Sequence, residues 1–177
     1  MKKTIQQFVF AAALLLVSCQ MQAQFVIGKD TLGGKVAYID ASGQHGLIAA
    51  RTDQSLRIIW GNDLDTRAAG TAIGTGSENT ANIIYYQGNP TGSNYAANLC
   101  RNYNGTGYTD WYLPSKDELN KLYINRVAIG SFGGNYYWSS TAYSYSFSWG
   151  QYFYNNNGLQ YCHSNTSPYS VRAVRTF

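Results

Sequence analysis

The chain has 177 residues, of which 12% are charged and 15% aromatic, with 18 glycines and a formal net charge of +4. That length suits one domain with its own core and leaves little room for a second, and the composition excludes a disordered chain. Two of the positive charges, Lys2 and Lys3, belong to a leading segment, so the charge argues for neither nucleic-acid nor acidic-membrane binding.

The opening MKKTIQQFVFAAALLLVSCQMQAQ sets two lysines before an apolar run, Phe8 to Val17, that is too short to span a bilayer, and small and polar residues follow. Residues 1–23 read as an export signal, with 24–177 as a single domain. A lipobox ending at Cys19 is the alternative, and lipidation of Cys19 would tether the chain to a membrane. The expected location is the cell surface, the periplasm or the medium.

GGKVAYID and HGLIAA read as strands joined by the turn ASGQ, and LRIIW reads as a third. GTAIGTGSENT is a glycine-rich loop without the Gly-Lys-Ser/Thr that a phosphate loop requires. ANIIYYQ has helical spacing, as does SNYAANLCRNY, where Ser93 is a candidate N-cap. In LPSKDELNKLY, Ser115 and Glu118 have the spacing of a capping box, ahead of an apolar stripe of Leu119, Leu122 and Tyr123. YYWSS, SWGQYFY, LQYC and VRAVRTF return to strand character. Strands, then helices, then strands argue for an α+β fold with an antiparallel sheet and two or three helices.

Catalytic chemistry is hard to find. His45 and His163 belong to no cluster with metal-ligand spacing, so no metal or cofactor is expected. Asp117 and Glu118 are explained by the helix start, and Cys100 lacks any advertised base. Cys100 and Cys162 could pair, but their spacing does not fix a distance.

GTGYTDWYLPSKDELNKLY, YYWSSTAYS, a Trp and a Phe four residues apart in SWGQYF, and the ending VRAVRTF together resemble the Lcl C-terminal domain family. The resemblance covers nearly all of residues 24–177, with GGKVAYIDASGQHGLIAA and GTAIGTGSENT fitting upstream. It implies a C-type-lectin-like fold, shared with formylglycine-generating enzymes and with the variable proteins of diversity-generating retroelements. Tyr112 and Ala173 stand where the family usually carries Arg and often Cys, which puts a family disulfide through Cys100 in doubt. The sequence contains no Glu-Pro-Asn, Gln-Pro-Asp or Trp-Asn-Asp triplet, so calcium-dependent sugar binding is not implied.

Residues 143–165 contain no Lys, Asp or Glu and are rich in Tyr, Ser and Asn. That is the vocabulary retroelement mutagenesis writes, and it is also the palette of binding loops. Alternation along a strand puts Trp149, Gln151 and Phe153 on one face and Tyr152 and Tyr154 on the other. The expected scaffold is Trp138, Trp149, Phe153, Val171 and Val174. The expected recognition surface is Tyr143, Tyr145, Phe147, Tyr152, Tyr154, Asn155, Tyr161, His163 and Asn165, facing a surface ligand that is protein or glycan. An adhesin-like binding module is the leading reading. A formylglycine-generating-type enzyme using Cys100 or Cys162, or a structural cell-envelope subunit, are the alternatives.

Overall fold

The computed structural model describes residues 24–88, 95–154 and 156–177. Among these the chain forms β1 (Asp30–Thr31), β2 (Gly34–Ile39), β3 (Gly46–Ala49), β4 (Ser55–Ile58), α1 (Gly76–Gln87), α2 (Ala96–Arg101), α3 (Lys116–Ile124), α4 (Arg126–Ile129), β5 (Tyr136–Ala142), β6 (Phe147–Tyr152), β7 (Gln160–Ser164), β8 (Tyr169–Val171) and β9 (Val174–Thr176). One sheet has the order β1-β2-β3-β9 and the other β4-β8-β5-β6-β7. The fold is therefore mixed α+β. No helix among the described residues is long and apolar enough to cross a membrane.

Two apolar cores flank the first sheet because its strands alternate between them. Val36, Ile48 and Ala50 enter one core, together with Ile83 of α1 and Ala96, Ala97 and Cys100 of α2. Ala37, Leu47 and Ala49 enter the other, with Leu119, Leu122 and Tyr123 of α3. A strand buried on both faces loses the polar half of its pattern, which is why HGLIAA carries apolar residues in succession.

The structure departs from the sequence reading in three places. First, a single antiparallel sheet was expected, whereas there are two sheets, and β5 pairs with β8 in parallel at Tyr137↔Ser170. VRAVRTF accordingly divides: Val171 ends β8 in the second sheet and Val174 begins β9 in the first. Between them Arg172 turns inward, fully buried, to meet Asp53. Second, two or three helices were expected and the described residues hold four. The additional one, α4, is a single turn begun at Asn125, the C-cap of α3, and four residues carry no readable period. Third, α1 begins inside the glycine-rich loop, at Gly76, where a Cβ would stand 2.2 Å from Glu118 Oε2. Only glycine admits that carboxylate. Ser93, the candidate N-cap, lies outside the described residues, and the N-cap position of α2 is Tyr95.

The capping box is present. Glu118 N donates to Ser115 Oγ (3.3 Å), and Ser115 N donates to Glu118 Oε2 (2.7 Å). Glu118 is fully buried, and its Oε1 also accepts from Gly74 N at 2.8 Å and from the Tyr112 hydroxyl at 3.3 Å. Burial pushes its carboxyl above the usual range, and these donors pull the other way. Ser115 Oγ donates in turn to Ala72 O (2.9 Å), so one hydroxyl joins the start of α3 to the loop before α1. Ser115→Ala is expected to cost about 1–2 kcal/mol, at the upper part of the range for N-caps because the second bond is lost too. Chemical denaturation checks this, and an unchanged midpoint would remove the cap from the stability account.

Candidate functional site

Register decides which side chains of the second sheet meet. β5 and β6 pair Tyr136↔Tyr152 and Trp138↔Gly150, and β6 and β7 pair Gly150↔Tyr161 and Ser148↔His163. Directly paired residues share a face, so Tyr136, Tyr152, Tyr161 and His163 project together. The parallel pair Tyr137↔Ser170 brings Tyr169 to the same side. Ring centroids confirm the grouping: Tyr136 lies 4.8 Å from Tyr152, 4.8 Å from His163 and 5.0 Å from Tyr169, and Tyr154 lies 6.4 Å from Tyr152. The result is an aromatic platform, with Arg57 of β4 at its margin.

His163 occupies its centre. The ring sits edge-on to Tyr136, Trp138, Tyr161 and Tyr169. Nδ1 shares a hydrogen bond with the Tyr169 hydroxyl at 3.0 Å. Burial lowers the His163 pKa, which favours the neutral imidazole. Gly150 makes the room, since a Cβ there would stand 3.3 Å from His163 Cδ2. Beside the platform, a cavity of about 370 Å³ is bounded by Tyr136, Tyr169, Arg57 and the Gly133–Asn135 turn.

The nominated recognition residues do not form one surface. Tyr152, Tyr161 and His163 join the platform, and Tyr154, 76% exposed, extends it. Tyr143, Tyr145 and Phe147, all exposed, lie instead at the β5–β6 hairpin, closed by bonds from Tyr143 N and Ser144 N to Phe147 O. That hairpin is at the opposite end of β6 from Tyr152. Asn155 lies outside the described residues.

Asn165 is corrected: it is fully buried and cannot meet a ligand directly. Its Oδ1 accepts from Ser148 Oγ (2.8 Å), and its Nδ2 donates to Tyr145 O (2.9 Å) and Asn62 O (3.5 Å). An amide has the donors and acceptor to join three backbone and side-chain partners at once, and here it fastens the hairpin to the loop after β4. Trp149 is also corrected, being half-buried rather than core. Lys116 Nζ lies 3.9 Å from its ring centre and Tyr143 packs edge-on at 5.8 Å. Trp138, Phe153, Val171 and Val174 are buried as expected.

Tyr136 and Tyr169 were not nominated from sequence. Tyr136 is separated from the buried Trp138 by one residue and so shares its face, which is a usable signal. Tyr169 carries none, because only the β5–β8 pairing brings it there.

Cys100 and Cys162, the two cysteines among the described residues, are free. Burial pushes each thiol upward, that of the fully buried Cys100 most strongly, and a raised pKa disfavours the thiolate that a nucleophile needs. Among the described residues no group of three His, Cys, Asp or Glu side chains is placed to hold a metal ion.

The family model for the Lcl C-terminal domain matches residues 50–175. The match takes in α1–α4, β4–β8, the whole platform and the hairpin, and it begins just after β3. Among curated proteins, none matches the chain.

Proposed function

The chain belongs to the Lcl C-terminal domain family, and we propose that it is an exported or surface-held, adhesin-like module that binds a ligand through the aromatic face of its second sheet. The observation that carries this reading is the platform itself. Tyr136, Tyr161 and Tyr169 pack against His163, and Tyr152 and Tyr154 extend the row from Tyr136. Tyr154 and Tyr161 are exposed, and Tyr136, Tyr152, His163 and Tyr169 are half-buried beside them; large aromatic surface left partly open on a monomer is a mark of contact surfaces. Tyrosines supply large, rigid contact area at low entropic cost, and Ser and Asn beside them supply adaptable hydrogen bonds.

A C-type-lectin-like fold is part of the proposal, supported by the α+β order and by the return of the C-terminal β9 to pair with β3. Diversification of the C-terminal region is part of it too. Its support is the absence of Lys, Asp and Glu from residues 143–165 and the exposure of Tyr143, Tyr145, Phe147, Tyr154 and Tyr161 within them.

The test pairs binding with stability. Tyr154 and Tyr161 are the most exposed rings of the platform, so Tyr154→Ser with Tyr161→Ser should leave folding within about 0.5 kcal/mol per site, as surface changes usually do. Against arrays of surface glycans and proteins, the parent should give a ligand that the double variant loses, since aromatic hot spots cost about 2 kcal/mol or more each. A steep fall in melting temperature would show that these rings hold the fold. Unaltered binding would place recognition elsewhere.

A further inference from the structure

Among the described residues the two sheets end in four edge strands, β1, β9, β4 and β7, and three of these are guarded. β1 has two residues, and its Asp30 is ion-paired with Arg51. β9 has three, with Val174 bridged to Tyr112 and Arg175 paired with Asp110. β4 carries Arg57 and an irregular register between Ser55 and Ile58. Shortness, charge and broken register are the devices that keep an edge from pairing with another chain. β7 has none of them: its five residues, Gln160–Ser164, include no Lys, Arg, Asp, Glu or Pro and run in unbroken register with β6. Its outer side is also open. Asn165 N donates to Ser146 O (3.0 Å) and Tyr152 N donates to Leu159 O (2.9 Å), which sets the phase of the ladder. Tyr161 and His163 therefore turn their backbone groups to β6, and Gln160, Cys162 and Ser164 turn theirs away. No strand among the described residues lies beyond β7, and no residue of it is fully buried. Ser164 O accepts from Ser167 N (2.9 Å) and keeps its second lone pair.

The geometry points to a dimer in which the outer edge of β7 pairs antiparallel with β7 of a second copy of this chain, about a two-fold axis at Cys162. The order of residues selects a second copy as the occupant. Laid against its own reverse, the strand sets Gln160 opposite Ser164 of the second copy, Tyr161 opposite His163 and thiol opposite thiol. Ring meets ring, polar meets polar, and no charge faces a like charge. In that register every outward amide and carbonyl of the strand finds a partner, which no register centred elsewhere on β7 achieves. The guarded edge at the far side of the sheet explains why pairing stops at two copies: β4 offers no second surface on which a fibre could grow. Tyr161 and His163 already pack edge-on within one chain and belong to the platform. Pairing therefore joins two platforms across one continuous sheet, and each copy supplies rings at the other's margin.

The experiment needs no ligand, so it stands or falls apart from the binding reading. Sedimentation of the full chain over a dilution series should show a reversible dimer at micromolar concentration. In the dimer the amides of Gln160, Cys162 and Ser164 should exchange with solvent at least tenfold more slowly than on dilution, while those of Tyr161 and His163, bonded to β6 in either state, change far less. Residues paired across hydrogen bonds lie about 5.5 Å apart at Cα, within the roughly 4.4–6.8 Å that a disulfide spans. Diamide, which takes two electrons from two thiols, should therefore link the dimer covalently, and Cys162→Ser should lose the link while keeping the dimer. Cys162→Pro removes only an outward amide and should weaken the dimer at least tenfold, with the circular-dichroism spectrum of the dilute parent retained. A chain that is monomeric at every concentration overturns the pairing. So does a dimer whose Gln160, Cys162 and Ser164 amides exchange freely, or one that a folded Cys162→Pro chain still forms at full strength, since either sits on another surface. Should Cys162→Pro fail to fold, exchange in the parent decides. Protected amides without a diamide link overturn the axis at Cys162.

Discussion

Arg172→Met is expected to destabilise the fold by about 3–5 kcal/mol, because it removes one partner of a buried ion pair and leaves the other in place. Arg172 is fully buried, and its Nε and Nη2 both lie 2.7 Å from Asp53 Oδ1. Nη1 donates to Ala50 O (3.0 Å), Nη2 donates to Ser131 O, and the guanidinium lies 4.2 Å from the Phe132 ring centre. Asp53 accepts in turn from the Tyr137 hydroxyl (2.7 Å) and from Gly133 N (3.0 Å). One guanidinium thus joins the segment between β3 and β4, the segment before β5 and the gap between β8 and β9. Met fills much of the volume but supplies no donor, so the Asp53 charge and the Ala50 and Ser131 carbonyls lose their partner together. Adding Asp53→Asn to Arg172→Met should recover part of the loss, since the neutral amide no longer strands a charge. Denaturant midpoints of the two single variants and the double variant measure the coupling. A loss below about 1 kcal/mol for Arg172→Met would show that the pair contributes only what an exposed one does.

The same network shows where the sequence stops being informative. Local signals were legible: the capping box of Ser115 and Glu118, the helical stripe of α3 and the strands of SWGQYFY and LQYC all stand where short-range chemistry puts them. Each depends on neighbours within a few residues. VRAVRTF was not legible as two strands, because the partner that Arg172 meets at the break, Asp53, is far away in sequence. Asn165 was misread for the same reason: an Asn among Ser and Thr has the composition of a surface loop, and only the fold brings Ser148, Tyr145 and Asn62 around it. The recognition surface was half legible. Alternation placed Tyr152 and Tyr154 opposite Phe153, but the division of the tyrosines between a platform and a hairpin depends on strand register. That register includes the irregularity between Trp138 and Ala142, which composition does not carry.

Trp111→Ala is expected to cost about 3–5 kcal/mol as well, by a different route, the cavity left when a large buried ring is removed. The extended segment around it alternates between the two cores: Trp111 and Leu113 enter one and Tyr112 the other. Tyr112 N donates to Val174 O (2.8 Å) and Val174 N donates to Tyr112 O (2.9 Å), so this segment is held against the C-terminal strand while its side chains reach both ways. Trp111 is fully buried in the core that also takes side chains of α1, α2 and β5, and Tyr103 packs edge-on to it at 5.2 Å. Its indole nitrogen has no hydrogen-bond partner among the described residues. The ring therefore contributes through packing alone, and Trp111→Phe, which keeps an aromatic ring and drops the orphan N–H, should cost much less than Trp111→Ala. Equal losses for the two would mean that the indole N–H carries the stability. Normal stability of Trp111→Ala together with lost ligand binding would move Trp111 from the scaffold to the recognition machinery, because a ring that can be removed without loosening the fold does not hold the two cores together.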